Sequence, residues 1–405
     1  MKKILVVLAV CLFAVSAFAQ EEKGANFNYG FDAWAYGLTT KQGKEKYNYQ
    51  FIRVRPTLEA GVENFKAVVG LEIDQFYGAN GTDSKYAKPG TDNQGITKIK
   101  WGYLEGKDLF IPKLSLTTGL KDYSYPVVVD DDFALTAATY AFDLGSFTAV
   151  YFKLNEGNYE ERNLAGVKVK DDRAAYMADL TLNLGAINLR PSYVWIKDDS
   201  SSRRVSVYSV NATGDMGVIA FDGTFSYLTD KTGSASAALA HAYDLGLTYK
   251  GVENFEFTLF SALQSGAKGG GSKKTAYNAT LDAAFGDTPD GRMFLVGGSD
   301  ITTSGGMDPR LFDISGANHG LFVVGLSGKT QMDKFSIFAQ YGFVMNAIEY
   351  LPKTKAIIGN EIDVEVGYEI AKNTSLFVQG AFLFTDSDFA DKNQAYAAWG
   401  LKTSL

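Results

Sequence analysis

One cysteine and two histidines in 405 residues leave little material for thiol or metal chemistry. Cys11 lies in the extreme N-terminal segment, so the remainder of the chain has no disulfide, no thiol nucleophile and no thiolate metal ligand. Proline is scarce, at 8 against 42 glycines, and acidic residues outnumber basic ones by 46 to 39. A net charge of −7 argues against the basic surface that a nucleic-acid partner requires. Beyond residue 19 there is no run of about 18 consecutive apolar residues, which argues against a helical membrane span. The mean hydropathy of −0.08 excludes nothing further, because a β-barrel alternates lipid-facing and lumen-facing residues and averages them out.

What the chain does have is aromatic residues, 28 Phe and 23 Tyr among them, which together with many glycines and few prolines favour strands. Residues 1–19 are expected to be a secretory signal, and residues 20–405 a single outer-membrane domain. Lys2 and Lys3 precede an apolar core over 4–15, and Ala17-Phe18-Ala19 supplies the small-x-small cleavage site. Cys11 is no lipidation site, since Val10 stands where a small residue is needed. Loss of the signal leaves 37 basic against 46 acidic residues.

From about residue 26 the dominant signal has period two. Ile52, Val54, Leu58, Ala60 and Val62 share one face, with Arg53, Arg55, Thr57 and Glu59 on the other. The pattern returns at 176–184, 187–195, 219–227, 255–263 and 335–345. It is cleanest at 358–370, where Ile362, Val364, Val366 and Tyr368 oppose Glu361, Asp363, Glu365 and Glu369. Runs of this length suit tilted strands that cross a bilayer. Short turns at Glu63-Asn64, Leu144-Gly145, Gly185-Ala186, Glu253-Asn254 and Lys372-Asn373 alternate with longer polar connectors at about 78–95, 155–173, 229–236, 266–274 and 385–394. The expected fold is all-β: a closed antiparallel transmembrane barrel of about 18 strands, within a range of roughly 16 to 20. A hairpin at 276–297 is the weakest candidate. The pentapeptide Gly61-Val62-Glu63-Asn64-Phe65 recurs as Gly251-Val252-Glu253-Asn254-Phe255, read as reused turn chemistry with one more loop residue in the second copy.

In a closed barrel the charged face is the interior, and many charges there imply water. The expected pore-lining residues are Arg53, Arg55, Glu72, Asp74, Lys98, Lys100, Glu361, Asp363 and Glu365. A two-residue turn at Glu63-Asn64 sets Arg53 opposite Asp74 and Arg55 opposite Glu72. Such pairs either brace the sheet or place a transverse field across the lumen. The row Glu361, Asp363, Glu365 has no basic partner on the following strand, where Phe377, Gln379 and Ala381 face inward, and it suggests a mild cation preference. Asp130-Asp131-Asp132 is placed in an outer loop. Trp34, Tyr36 and Tyr151 are candidates for inward aromatics, which would favour sugars. Gly269-Gly270-Gly271 lacks the strand and helix of a phosphate-binding loop. Neither His241 nor His319 belongs to a catalytic or metal-binding arrangement, so no enzyme and no cofactor or metal are expected.

The stretch from Gly359 to Asn373, continuing through Leu376 to Phe384, resembles the late hairpin of alginate-export-like outer-membrane channels. Tyr103-Leu104-Glu105 with Leu116-Thr117-Thr118-Gly119-Leu120 resembles a hairpin of porins of that kind. The resemblance implies a single-chain, porin-like barrel. Two features depart from it. The inner face carries more acid than base, where a polyanion channel would be lined with arginine, and the chain ends in Leu405 rather than an aromatic residue. The expected function is that of an outer-membrane porin passing small hydrophilic solutes or ions in a Gram-negative-type bacterium. The partners are outer-membrane lipid and, during insertion, the barrel-assembly machinery. The alternatives are a substrate-selective oligosaccharide or polysaccharide channel of the alginate-export type, and a structural barrel with a blocked pore.

Overall fold

The computed structural model describes residues 26–42, 45–77, 96–155, 173–198, 201–232, 238–266, 277, 292–296, 320–347, 357–386 and 393–404. The strands are β1 (Asn26–Gln42), β2 (Glu45–Val62), β3 (Phe65–Tyr77), β4 (Ile96–Lys107), β5 (Leu114–Tyr125), β6 (Val129–Phe142), β7 (Gly145–Asn155), β8 (Arg173–Leu184) and β9 (Ile187–Asp198). They continue as β10 (Arg203–Asp215), β11 (Ile219–Thr232), β12 (Ala238–Val252), β13 (Phe255–Gln264), β14 (Leu321–Met332), β15 (Phe335–Met345), β16 (Ile357–Ala371), β17 (Thr374–Thr385) and β18 (Gln394–Ser404). Each pairs antiparallel with its sequence neighbours, and β18 pairs with β1 from Ala395↔Lys41 to Ser404↔Asp32. The 18-stranded sheet is therefore closed and has no free edge. Among the described residues no helix is long and apolar enough to cross a membrane. The shortest of the described strands, β13, has 10 residues, enough for a tilted crossing.

Alternation sorts the side chains as the sequence suggests. On β16, Glu361 and Asp363 are fully buried inside while Ile362, Val364, Val366 and Tyr368 are exposed outside. On β18, Trp399 is exposed and Tyr396 and Ala398 are buried. The outer face carries aromatic rows in register: Tyr151, Tyr176 and Trp195 on β7–β9, with ring centroids 5.4 and 5.5 Å apart, then Tyr193, Tyr208, Tyr227 and His241 on β9–β12. Amphipathic rings of this kind anchor a barrel at the bilayer interface. His241 thus faces outward, away from any lumenal chemistry.

Several details differ from expectation. The candidate hairpin at 276–297 supplies no strand among its described residues, Tyr277 and 292–296. The turn expected at Leu144-Gly145 is Asp143-Leu144, because Gly145 already pairs with Phe142. Asp130-Asp131-Asp132 belongs to β6 and pairs with Asp122, Tyr123 and Ser124 of β5, since the β5–β6 connection is only three residues long. The two Gly-Val-Glu-Asn-Phe copies close alike, with Val62↔Phe65 and Val252↔Phe255. The additional residue of the second copy is a β-bulge between Tyr249 and Val252 rather than a longer loop. The left-handed residue also changes, from Glu63 (φ 45°) to Asn254 (φ 62°). The segment 1–19 expected to be a signal, Gly269-Gly270-Gly271, His319, Leu405 and most of the long connectors lie outside the described residues.

Candidate functional site: the inner wall and its crosspieces

The wall formed by β1–β5 and β18 is a network of charges. The turn at Glu63-Asn64 sets the β2–β3 register, and Arg53 stands opposite Asp74 with a bidentate bond, Nε to Oδ1 at 2.7 Å and Nη2 to Oδ2 at 2.8 Å. The ladder to β3 skips Arg55 and Pro56, where proline has no N–H to give, yet Arg55 Nε still reaches Glu72 Oε2 at 2.7 Å. Glu72 is almost fully buried and also meets Lys98 Nζ at 2.8 Å and Arg53 Nε at 3.5 Å, so one carboxylate gathers three cations. Lys100 is the extra residue of a bulge opposite Gly70-Leu71, and its Nζ lies 5.8 Å from the Trp101 ring. Lower on the wall Lys66 bridges Glu59 (3.5 Å) and Glu105 (4.0 Å), and Lys121 reaches Glu105 at 3.5 Å and the Tyr103 ring at 4.8 Å.

Trp34, one of the three aromatic candidates, is inward. Arg53, Arg55 and Lys402 stand 5.7, 5.2 and 5.2 Å from its ring centroid, all within cation–π range. Tyr36 is also inward but is buried against Phe51, at 5.1 Å between centroids, while Tyr151 faces outward.

On the opposite wall the acids have a different kind of partner. Residues 292–296 lie inside the barrel. The Arg292 guanidinium bonds Asp222 of β11, and its Nε reaches Asp244 of β12 at 2.7 Å. Its carbonyl accepts from Gln340 Nε2 of β15 at 2.7 Å. The amide of Phe294 donates to Asp363 Oδ2 at 3.0 Å, and those of Leu295 and Val296 donate to the two oxygens of Glu361. Glu365 accepts from Gln379 Nε2 at 2.9 Å. The acidic row that lacked a basic partner on the next strand is therefore occupied, by backbone amides and by amide side chains. Met293, Leu295 and Val296 belong to a buried cluster that runs along the wall from β13 through β18 to β1 and β2, and Phe294 stacks on Phe338 of β15 at 5.8 Å and lies 6.4 Å from Tyr396 of β18.

A second element enters from the β5–β6 connection. Tyr123 donates to Asp179 Oδ2 at 3.2 Å, the Tyr125 hydroxyl bonds the Arg190 carbonyl, and Arg190 Nε holds Asp179 at 2.8 Å. Val127, at φ 69°, has a backbone conformation that a β-branched residue rarely adopts. Its carbonyl accepts from Tyr277 at 2.9 Å, within a cluster that runs along β6–β12 and is separate from that around residues 292–296. Alternation alone does not reveal either crosspiece. The signal for the first was the short apolar run Met293-Phe294-Leu295-Val296 behind a lone arginine. It is too short for a strand and too apolar for an exposed loop.

No family model and no curated protein sequence matches the chain. Solved structures do. OccK5 (OpdH) of Pseudomonas aeruginosa superposes with a TM-score of 0.59 at 12% identity, over 94% of this chain and 98% of that one. OccK3 (OpdO) of the same organism gives 0.58 at 14%, over 94% and 96%. OccK2 (OpdF) in complex with glucuronate gives 0.57 at 11%, over 95% and 99%. At these identities the likeness is one of fold, and the fold is that of outer-membrane porins. It upholds the porin-like part of the sequence resemblance and lends nothing to its alginate-export part.

Proposed function

We propose that the chain is an outer-membrane channel through which small hydrophilic solutes diffuse, with a preference for anionic ones. The observation that carries this reading is the division of charge on the inner wall. The acids are pressed against the wall or capped, with Glu72, Glu361 and Asp363 at 1% exposure or less, while the side chain of Lys98 remains 53% exposed and Lys402 is exposed as well. Solutes respond to charge that faces water, because screening and desolvation remove most of the effect of a paired, buried one. Against the cation preference suggested by Glu361, Asp363 and Glu365, both Glu361 oxygens, Asp363 Oδ2 and Glu365 Oε2 accept from amides rather than facing the lumen free. The complex of OccK2 (OpdF) with glucuronate, a hydroxylated carboxylate, is an example of a solute with the matching chemistry. An oligosaccharide channel would call for aromatics stacked along the lumen, and of three candidates only Trp34 stands inward beside the charged groups.

Planar-bilayer conductance of the refolded protein across a KCl gradient tests the proposal. Stable steps with an anion-selective reversal potential are expected. A cation-selective potential would return the acidic row to the role of filter. The two crosspieces favour one second reading, a structural barrel with a closed lumen, and a heat-modifiable, folded barrel that carries no current would establish it.

A further inference from the structure

The inner wall from β11 to β16 is shaped to receive the five residues 292–296, which belong to no strand. Under the guanidinium β12 has Gly246, where a Cβ would come within 2.5 Å of both Arg292 Nη1 and Asp222 Oδ1. Under Met293 β15 has Gly342, where a Cβ would lie 2.6 Å from Met293 Sδ. Carboxylates stand at both ends of the segment, Asp222 and Asp244 at one and Glu361 and Asp363 at the other. Gln340 links the middle, reaching the Arg292 carbonyl at 2.7 Å and Asp363 Oδ2 at 2.6 Å. Three successive amide N–H groups converge on two carboxylates, the arrangement in which a backbone nest holds an anion. A carboxylate is required at 361. Its two oxygens each take one N–H, and an amide side chain would turn an NH2 against one of those donors.

From this geometry we infer that Glu361 and Asp363, together with Asp222 and Asp244, are positioning residues. They seat 292–296 as a fixed crosspiece, and the seat sets the width of the passage beside it. The inference rests on the channel reading above and deepens it by naming what sets the aperture. The acidic row governs permeation through the place of the crosspiece, not through its own charge.

The test introduces Met293→Cys, a fully buried position in a chain whose only cysteine is at residue 11. The protein in proteoliposomes is reacted with a charged, membrane-impermeant maleimide, and the same protein is recorded in planar bilayers. In Met293→Cys alone the thiol is expected to be protected. Adding Glu361→Gln and Asp363→Asn turns side-chain NH2 groups against the N–H donors of the segment and is expected to speed labelling about tenfold or more. Larger, noisier current steps and a nearly unchanged reversal potential should accompany it, and heat-modifiability on gels verifies that the barrel is folded. Gly246→Leu, which keeps every charge but crowds Arg292, is expected to do the same. Rapid labelling of Met293→Cys alone would overturn the fixed crosspiece. Labelling that neither variant accelerates would overturn the seat, as would a reversal potential that shifts while step size and labelling stay constant. If the parent protein carries no current, the channel reading fails, while the labelling still decides whether the carboxylates seat the segment.

Discussion

Two walls of one barrel carry inward acids at the same alternation, and the acids do different work. On β2 and β3, Asp74 and Glu72 are held by side chains of the same wall, Arg53, Arg55 and Lys98. On β11–β16, Asp222, Asp244, Glu361 and Asp363 are held by a segment that comes from elsewhere in the chain and binds largely through its backbone. The first wall keeps lysine heads in the lumen, and the second covers its own charge. A carboxylate on a lumenal face is therefore no measure of selectivity until its partner is known.

The largest effect is expected where that contrast is broken on the basic wall. Arg53→Ala strands Asp74, whose side chain is 8% exposed, and removing one member of a buried pair costs about 3–5 kcal/mol. The temperature at which the barrel loses its folded gel mobility should fall clearly, and a double change of Arg53→Met with Asp74→Leu should recover much of it. Arg292→Met makes the equivalent cut on the other wall. Asp222 is 45% exposed and keeps water as a substitute while Asp244 is 20% exposed, so the folded mobility should fall less than for Arg53→Ala while current noise rises. Lys98→Gln with Lys402→Gln should shift the reversal potential toward cations with step size nearly intact, and should cost less stability than Arg53→Ala, since buried Glu72 loses Lys98 but keeps Arg55 and Arg53. The smallest effect belongs to a short-turn pair outside the wall. Lys113 Nζ bonds Asp143 Oδ1 at 2.9 Å and holds that exposed carboxyl below its ordinary pKa. A depressed carboxyl contributes stability above its unfolded value and loses it as pH falls through the folded one. Asp143→Asn should thus remove a slight acid-side sensitivity of barrel melting and nothing at neutral pH beyond experimental scatter.

The same contrast explains how much the sequence could tell. Arg53–Asp74 was legible because a two-residue turn and a period of two fix which residues face each other. Period two also yielded the barrel and its eighteen strands once the 276–297 candidate was set aside. The partner of Glu361 was not legible. It lies 65 residues away in an aperiodic connector, and its contribution is backbone N–H, which every residue but proline possesses. The second Gly-Val-Glu-Asn-Phe copy showed the limit of local letters, since five identical residues gave a different left-handed position and a bulge three residues upstream. Trp34 could be placed only by its neighbours, the three cations that converge on its ring from β2 and β18.

The closing pair of strands has a consequence for how the molecule comes into being. β1 and β18 stand at opposite ends of the chain, so the ring cannot shut until the last strand has been delivered, and contacts of such long sequence separation make for slow folding. The crosspiece sits midway in that order. Asp222 and Asp244 precede it and are available when it emerges, whereas Glu361 and Asp363 arrive later, so Arg292 can dock before the amides of 294–296 find their acceptors. The tether at the arginine end would then act as a guide that keeps the segment on the inner side of a still-open sheet until the remaining strands enclose it.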